Sequence, residues 1–276
     1  MKINNANFKV RRYSSGELKL LKADFAGILK QDEINIFYNQ DEISLFELIL
    51  LIKYFNDNNK KVNLILTYLP YQRMNHDNNK EIATLNFVVS LLESLNLNSL
   101  KIVEPHTLIN LKNTKTENVF LGKILHALLL KKQPSLTNAN IFFTDKGGVE
   151  RNKGLSNNFL YGKKTRDEFG FINSYEVVGQ LTSKSVIIID DIISSGDTII
   201  EALDALEKLG ANEFYIVAPH FEKNKFNKRL FQRPNVKKIL TTTTLTKRSS
   251  HKKLEILPVW SVLNHKKSVD LTKEIT

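Results

Sequence analysis

The chain has 276 residues with 42% hydrophobic content, enough to bury a sizeable core and long enough for one large or, as preferred here, two ordinary domains. It contains no cysteine, which excludes a disulfide framework and a thiolate metal site; with polar residues 1–10 and no apolar run of membrane-spanning length, a soluble cytoplasmic protein is expected. The net charge of +11 would attract nucleic acid, anionic surfaces or polyphosphates, but lysine pairs such as Lys60-Lys61 and Lys237-Lys238 lack alternating aromatics, so nucleic acid is not expected as a partner.

In chain order, Arg12 to Leu18 reads as a turn, and residues 34–38 as a strand. Ser44 and Glu47 form a capping box for a helix whose apolar face is read as Ile43, Phe46, Leu50, Leu51 and Tyr54. The strand 62–66 follows, ending in a loop with Pro70, Tyr71, Arg73, Met74, Asn75 and His76. That loop lies where open α/β sheets bind ligands. Helix 82–95 and strand 100–103 deliver Glu104-Pro105-His106 to the same edge. Residues 110–118 read as a polar domain junction, and 120–130 as a helix.

The second half repeats the alternation. Strand 141–143 ends in Thr144-Asp145-Lys146-Gly147-Gly148, where paired glycines let backbone amides approach an anion and Asp145 offers magnesium an oxygen ligand. A charged excursion runs from Tyr161 to Gly170, with a solvated hairpin as its plainest structural reading. Residues 186–189 are four successive β-branched residues, a strand covered on both faces. Asp190 and Asp191 end it, followed by Ser194, Ser195, Gly196, Asp197 and Thr198. Ile199, Ala202, Leu203, Leu206 and Leu209 recur at helical spacing before Gly210, so this loop lies at a helix N-terminus and suits a phosphate. Two carboxylates beside a phosphate site need hydroxyls or a cation, and a sugar phosphate satisfies both halves. Strands 214–218 and 236–241 follow, and the threonine run 241–244 reads as strand.

The stretch from Val186 to Thr198 resembles the phosphoribosyl pyrophosphate (PRPP) loop of the type I phosphoribosyltransferase fold. From Arg12 to about Lys266 the motif order resembles ribose-phosphate pyrophosphokinase, the PRPP synthetase family. Arg12-Tyr13-Ser14-Ser15-Gly16-Glu17 and Pro70-Tyr71-Gln72-Arg73 are similar to its ATP-site segments, Glu104-Pro105-His106 to its Asp-Leu-His, and Asp145-Lys146-Gly147-Gly148 to its diphosphate loop. Lys164-Thr165-Arg166 is similar to its catalytic Lys-Arg-Arg. The late threonines sit where the family has Thr-Asn-Thr.

The resemblance implies an α/β protein of two similar domains, each a mainly parallel sheet flanked by helices: residues 1–115 contacting ATP, and 116–276 holding the ribose phosphate and the catalytic loop. It implies transfer of the diphosphoryl group of ATP to the anomeric hydroxyl of ribose 5-phosphate, giving PRPP and AMP, with Mg²⁺ required and a homo-oligomer expected. Lys164, Arg166 and His106 are then the catalytic candidates. Asp190, Asp191, Ser194, Ser195, Gly196, Asp197 and Thr198 would hold the ribose phosphate, and Tyr13, Glu17, Arg73, Met74 and His106 would contact ATP. His106 and Asp145 are the metal candidates. Departures from the family pattern fall at Met74, Asn75, His76, Ser194 and Asp197; an inward-pointing Asp197 would weaken phosphate binding. The alternatives are a PRPP-consuming transferase and a catalytically silent regulatory relative.

Overall fold

The computed structural model describes residues 1–77, 81–166, 172–225 and 228–264. Asp167 to Gly170 of the charged excursion, and Lys266, lie outside them. The chain divides into two compact units, Met1–Val119 and Phe120–Thr276.

The first unit runs β1 (Lys2–Ile3), β2 (Ala6–Asn7), α1 (Lys22–Phe25), β3 (Glu33–Tyr38), α2 (Leu45–Asp57), β4 (Lys61–Leu66), α3 (Thr84–Glu93), β5 (Ser99–Val103) and β6 (Lys115–Val119). Its six-stranded sheet has the order β2-β1-β3-β4-β5-β6, with β3 to β6 parallel. Strands β3, β4 and β5 step sideways in one direction, so right-handed crossovers place α2 and α3 on the same face. Ile34, Ile36, Val62, Leu64, Leu100 and Ile102 are buried on that face with Leu48, Ile52, Phe55, Val88 and Leu92. The other face carries Glu33, Asn35, Lys61 and Asn63, linked by Asn63 Nδ2 donating to Asn35 Oδ1 at 3.3 Å and by a Lys101–Glu117 ion pair at 2.8 Å.

The capping box forms: Glu47 N donates to Ser44 Oγ at 3.2 Å, and Ser44 N to Glu47 Oε2 at 2.7 Å. The expected apolar face is corrected in part: Ile43 and Leu51 are buried and Tyr54 packs against the core, but Phe46 and Leu50 are exposed and α2 buries Leu48, Ile52 and Phe55 instead. The helix is apolar nearly all round, so periodicity alone left two faces to choose from. Residues 110–118 also differ from the reading as a junction, since they hold most of β6, the edge strand of this sheet. Its polar sequence, Lys-Thr-Glu-Asn, suits an edge.

The second unit runs α4 (Gly122–Lys132), β7 (Asn140–Phe143), α5 (Lys146–Arg151), β8 (Leu160–Arg166), β9 (Ile172–Val178), β10 (Ser185–Ile189), β11 (Ile192–Ile193), α6 (Asp197–Lys208), β12 (Glu213–Val217), β13 (His220–Phe221), α7 (Lys228–Gln232), β14 (Val236–Thr242) and β15 (Leu254–Leu257). Its seven-stranded sheet has the order β15-β14-β12-β10-β7-β8-β9, parallel except for β9. Val186 to Ile189 are buried, as a strand covered on both faces requires. The threonine run is strand only through Thr242, with a turn at Thr243 and Thr244. Thr241, Thr242 and Thr244 hydroxyls converge on the Pro219 carbonyl at 3.2, 2.8 and 3.0 Å.

The charged excursion opens as an antiparallel hairpin, β8 against β9, with Gly162 opposite Val177. A Cβ on Gly162 would overlap the Tyr175 hydroxyl and lie 2.6 Å from the Thr144 carbonyl oxygen. Gly162→Ala is therefore expected to displace the hairpin root and destabilise the unit by about 1–3 kcal/mol. A thermal melt of the purified variant checks this, and a melt matching the parent would show that the hairpin yields without cost.

Candidate active site

From β7 the chain moves outward through α5 to β8, whereas from β10 it moves the opposite way through α6 to β12. The carboxyl ends of this neighbouring pair flank a topological switch point, the place where open α/β sheets bind ligands. The register Ile189 to Phe143 sets the segments that follow, Asp190-Asp191 and Thr144-Asp145, side by side.

Both acids of the pair are buried, Asp190 at 8% and Asp191 at 3% exposure. Asp190 Oδ1 accepts the Asp191 amide at 2.9 Å. Burial first, and then the neighbouring charge of Asp191, push the Asp190 carboxyl well above the usual carboxylate range. Asp191 has a cation of its own. Arg151, at the end of α5 and 9% exposed, places Nη2 3.2 Å from Asp191 Oδ1 and 3.9 Å from Asp145 Oδ1. Asp145 itself is the N-cap of α5, its Oδ1 accepting the Gly148 amide at 2.7 Å.

The glycine pair therefore has a second structural task. A Cβ on Gly147 would come within 3.1 Å of Arg151 Nη1, and one on Gly148 within 3.3 Å of Phe143 Cβ. The segment expected as an open anion loop is in fact the first turn of a short helix, with one of its amides engaged by Asp145.

In the loop after the acids, Gly196 adopts φ +86°, the left-handed conformation that glycine takes without strain, and precedes α6 directly. Ile199, Ala202, Leu203 and Leu206 anchor that helix in the core, as their spacing predicts, whereas Leu209, expected with them, is the C-cap and exposed. The following segment straps the loop. Ser194 Oγ donates to Glu222 Oε2 at 2.5 Å, and Asn224 Nδ2 donates to the Ser194 carbonyl at 2.9 Å. Asp197 is exposed, with its Oδ1 2.5 Å from Arg229 Nη2. The Ser195 hydroxyl and then the Arg229 guanidinium hold its carboxyl below the ordinary range.

In the first unit two strand-end loops are tied together. His106 N donates to Oε1 of the fully buried Gln72 at 2.9 Å, and Asn75 Nδ2 donates to Thr107 Oγ1 at 2.6 Å. Tyr71 at φ +63° and Glu104 at φ +47° shape the two loops, and Arg73 and Met74 are exposed beside them. The turn carrying Tyr13 and Glu17 is anchored on α2 instead, through the Arg12–Glu47 ion pair and Arg12 Nη2 donating to the Glu42 carbonyl at 2.9 Å. The Arg12 guanidinium holds Glu47 below the usual carboxylate range against burial, the next-largest influence, with the Ser44 contacts adding to the lowering. Tyr13 is exposed, with Lys19 Nζ 4.9 Å from its ring centroid. Lys164 and Arg166 lie in β8, opposite Tyr175 and Ile172.

Sequence reasoning assigned no role to Arg151, Glu222, Asn224 or Arg229, and treated Gln72 only as part of a motif. Arg151 carried a weak signal, a cation six residues after Asp145. The strap residues carried none, since Glu222 and Arg229 find their partners 28 and 32 residues away in sequence.

Mg²⁺ takes oxygen ligands, keeps several waters and is held by one or two carboxylates plus substrate phosphates. Asp145 fits that demand, with one oxygen on the helix cap and a side chain still 42% exposed. Among the described residues, no group of three or more His, Cys, Asp or Glu side chains stands ready to hold a metal alone. Among them, too, no helix is long and apolar enough to cross a membrane.

A phosphoribosyl transferase domain model matches residues 141–256, the stretch that spans the switch point. The ribose-phosphate pyrophosphokinase of Sulfolobus acidocaldarius is 28% identical over 229 residues, 79% of this chain and 77% of that protein. The enzyme of the same name from Saccharolobus solfataricus is 29% identical over 216 residues, 75% of this chain and 74% of that one. The crystal structure of phosphoribosylpyrophosphate synthetase from Mycobacterium smegmatis superposes with a TM-score of 0.73 at 19% identity, covering 96% of this chain and 90% of that one. That likeness establishes the fold, and the sequence relatives extend it across both units. The chain is thus similar in sequence to ribose-phosphate pyrophosphokinases over about three quarters of its length, and its fold is that of the type I phosphoribosyltransferases.

Proposed function

We propose that the protein is a ribose-phosphate pyrophosphokinase that transfers the diphosphoryl group of ATP to ribose 5-phosphate, releasing AMP. The observation that carries this reading is the switch point itself: a buried Asp190-Asp191 pair followed at once by Gly196 and the N-terminus of α6. A sugar phosphate has the matching halves, hydroxyls for the acids and a dianion for the helix end.

In this reading the amides and hydroxyls of Ser194, Ser195, Gly196 and Thr198 hold the 5-phosphate. Asp190 and Asp191 accept hydrogen bonds from ribose hydroxyls and so fix the anomeric oxygen in line with the β-phosphorus of ATP. A new O–P bond forms there, the bond from the β-phosphorus to the oxygen bridging to the α-phosphorus breaks, and the anomeric hydroxyl gives up its proton. Phosphoryl transfer is mainly positioning and neutralisation of spreading charge. Lys164 and Arg166 supply that neutralisation from the β8 hairpin, and the Lys146 to Gly148 segment faces the diphosphate. Mg²⁺, held by Asp145, water and phosphate oxygens, would withdraw charge from the transferred group. Tyr13, Glu17, Arg73, Met74 and His106 serve ATP, with the Gln72 bond to His106 N keeping two of its loops in fixed relation. A homo-oligomer in the cytoplasm belongs to the same proposal.

The test is incubation with ATP, Mg²⁺ and ribose 5-phosphate, following AMP and PRPP, with Lys164→Ala alongside. Both products are expected, and the variant should lose about 10²–10³ in kcat, the scale for removing one charge-stabilising group from a transition state. AMP without PRPP would mean hydrolysis. Neither product, with PRPP still bound, would favour the transferase or the silent relative.

A further inference from the structure

Asp197 poses a local contradiction. A carboxylate in the first turn of a helix is favoured by the helix dipole. Yet the same charge opposes a phosphate dianion in the loop immediately before it. The structure resolves the conflict through a residue far along the chain. Arg229, from α7, places Nη2 2.5 Å from Asp197 Oδ1, with both side chains at least half exposed. Its placement is not left to that contact alone. Parallel pairing of β11 with β13 sets Ile192 beside His220 and Ile193 beside Phe221, and Glu222 N donates to the Ile193 carbonyl at 2.9 Å. The Ser194–Glu222 and Asn224–Ser194 bonds then continue the seam along the loop. His220, Phe221, Glu222 and Asn224 are thus stitched to the phosphate loop, a few residues before Arg229.

We propose that Arg229 is a positioning residue of the phosphate loop: it neutralises Asp197, so that the loop keeps its affinity for the phosphate of a sugar phosphate. The identity of the sugar rests on the function proposed above, whereas the charge pair does not. The two residues form one unit, and the cost of losing Arg229 is the exposure of Asp197. An exposed ion pair contributes little to folding, so the effect belongs to ligand affinity. A bare carboxylate a few ångströms from a dianion should weaken binding roughly three- to tenfold at low ionic strength, and less as salt screens it.

Calorimetric titration of the full chain with inorganic phosphate, and separately with ribose 5-phosphate, tests this on Arg229→Ala, Asp197→Asn and the double variant. Arg229→Gln is a second removal of the charge with less loss of side chain, and thermal melts confirm folding. Both single Arg229 variants should bind phosphate three- to tenfold more weakly, the loss shrinking with added salt. Adding Asp197→Asn should restore most of it. Unchanged binding in both Arg229 variants would overturn the proposal, and so would a double variant as weak as Arg229→Ala, which would place Arg229 directly on the phosphate. If the phosphate cycle behaves as expected while ribose 5-phosphate does not bind the parent, the charge pair stands and the sugar assignment falls.

Discussion

Asp190→Asn is expected to lose 10- to 100-fold or more in kcat/KM for ribose 5-phosphate while raising the melting temperature of the unliganded protein. On the function proposed above, the loss follows from a charge-assisted hydrogen bond to a ribose hydroxyl, about 1.5–3 kcal/mol. The gain follows from the raised carboxyl pKa, caused by burial and by Asp191. Because Asp190 holds its proton more tightly in the native protein than in the unfolded chain, the native state binds more protons between the two pKa values. Stability therefore falls as pH rises from the ordinary carboxylate range towards the raised native pKa, and the deficit persists above it. Asparagine removes that slope. Melting temperatures of parent and variant across pH should converge in acid and separate as pH rises. Parallel curves would mean that Asp190 ionises without penalty. A site that destabilises its own scaffold in the absence of ligand is a familiar trade between stability and activity.

The second large effect is expected at Arg151. Its guanidinium sits 3.2 Å from the buried Asp191, so Arg151→Leu leaves a carboxylate in the interior without its cation. Breaking a buried pair from one side costs about 3–5 kcal/mol, roughly a 10 °C fall in melting temperature for a domain of this size. The double change Arg151→Leu, Asp191→Leu should recover much of that loss, since two apolar side chains carry no desolvation cost. Denaturant unfolding of the single and double variants distinguishes a pair held by charge from one held by packing. A double variant no better than the single would assign Arg151 a packing role through its alkyl stem.

The sheet architecture and the switch point were legible in the sequence because their signals are local. Val186 to Ile189, the two acids and the helical spacing from Ile199 lie within one continuous stretch, and each has a periodicity or a chemistry that names it. The Ser44–Glu47 box was legible for the same reason. The apolar face of α2 was not, because Phe46 and Leu50 repeat at the same spacing as Leu48 and Ile52, and only the sheet decides which pair is covered. Polar residues 110–118 concealed β6, since an edge strand need not be apolar. Arg151 and Arg229 were missed for a deeper reason: their partners are brought to them by strand pairing, and no local pattern encodes a contact made across 40 or 32 residues. Asp197 shows the same limit, because its cation, Arg229, lies 32 residues further along the chain.

The first unit has one further property that follows from its crossovers all turning the same way. A sheet with both helices on one side leaves its other face graded along the strands: Glu33, Asn35, Lys61 and Asn63 present a wettable surface at the amino ends, whereas Phe37 and Val103 are buried towards the carboxyl ends. The second unit instead buries Val186 to Ile189 completely. In the first unit, apolar cover is thus needed only at the end of the graded face from which the Arg73 and His106 loops emerge, while water satisfies the other end.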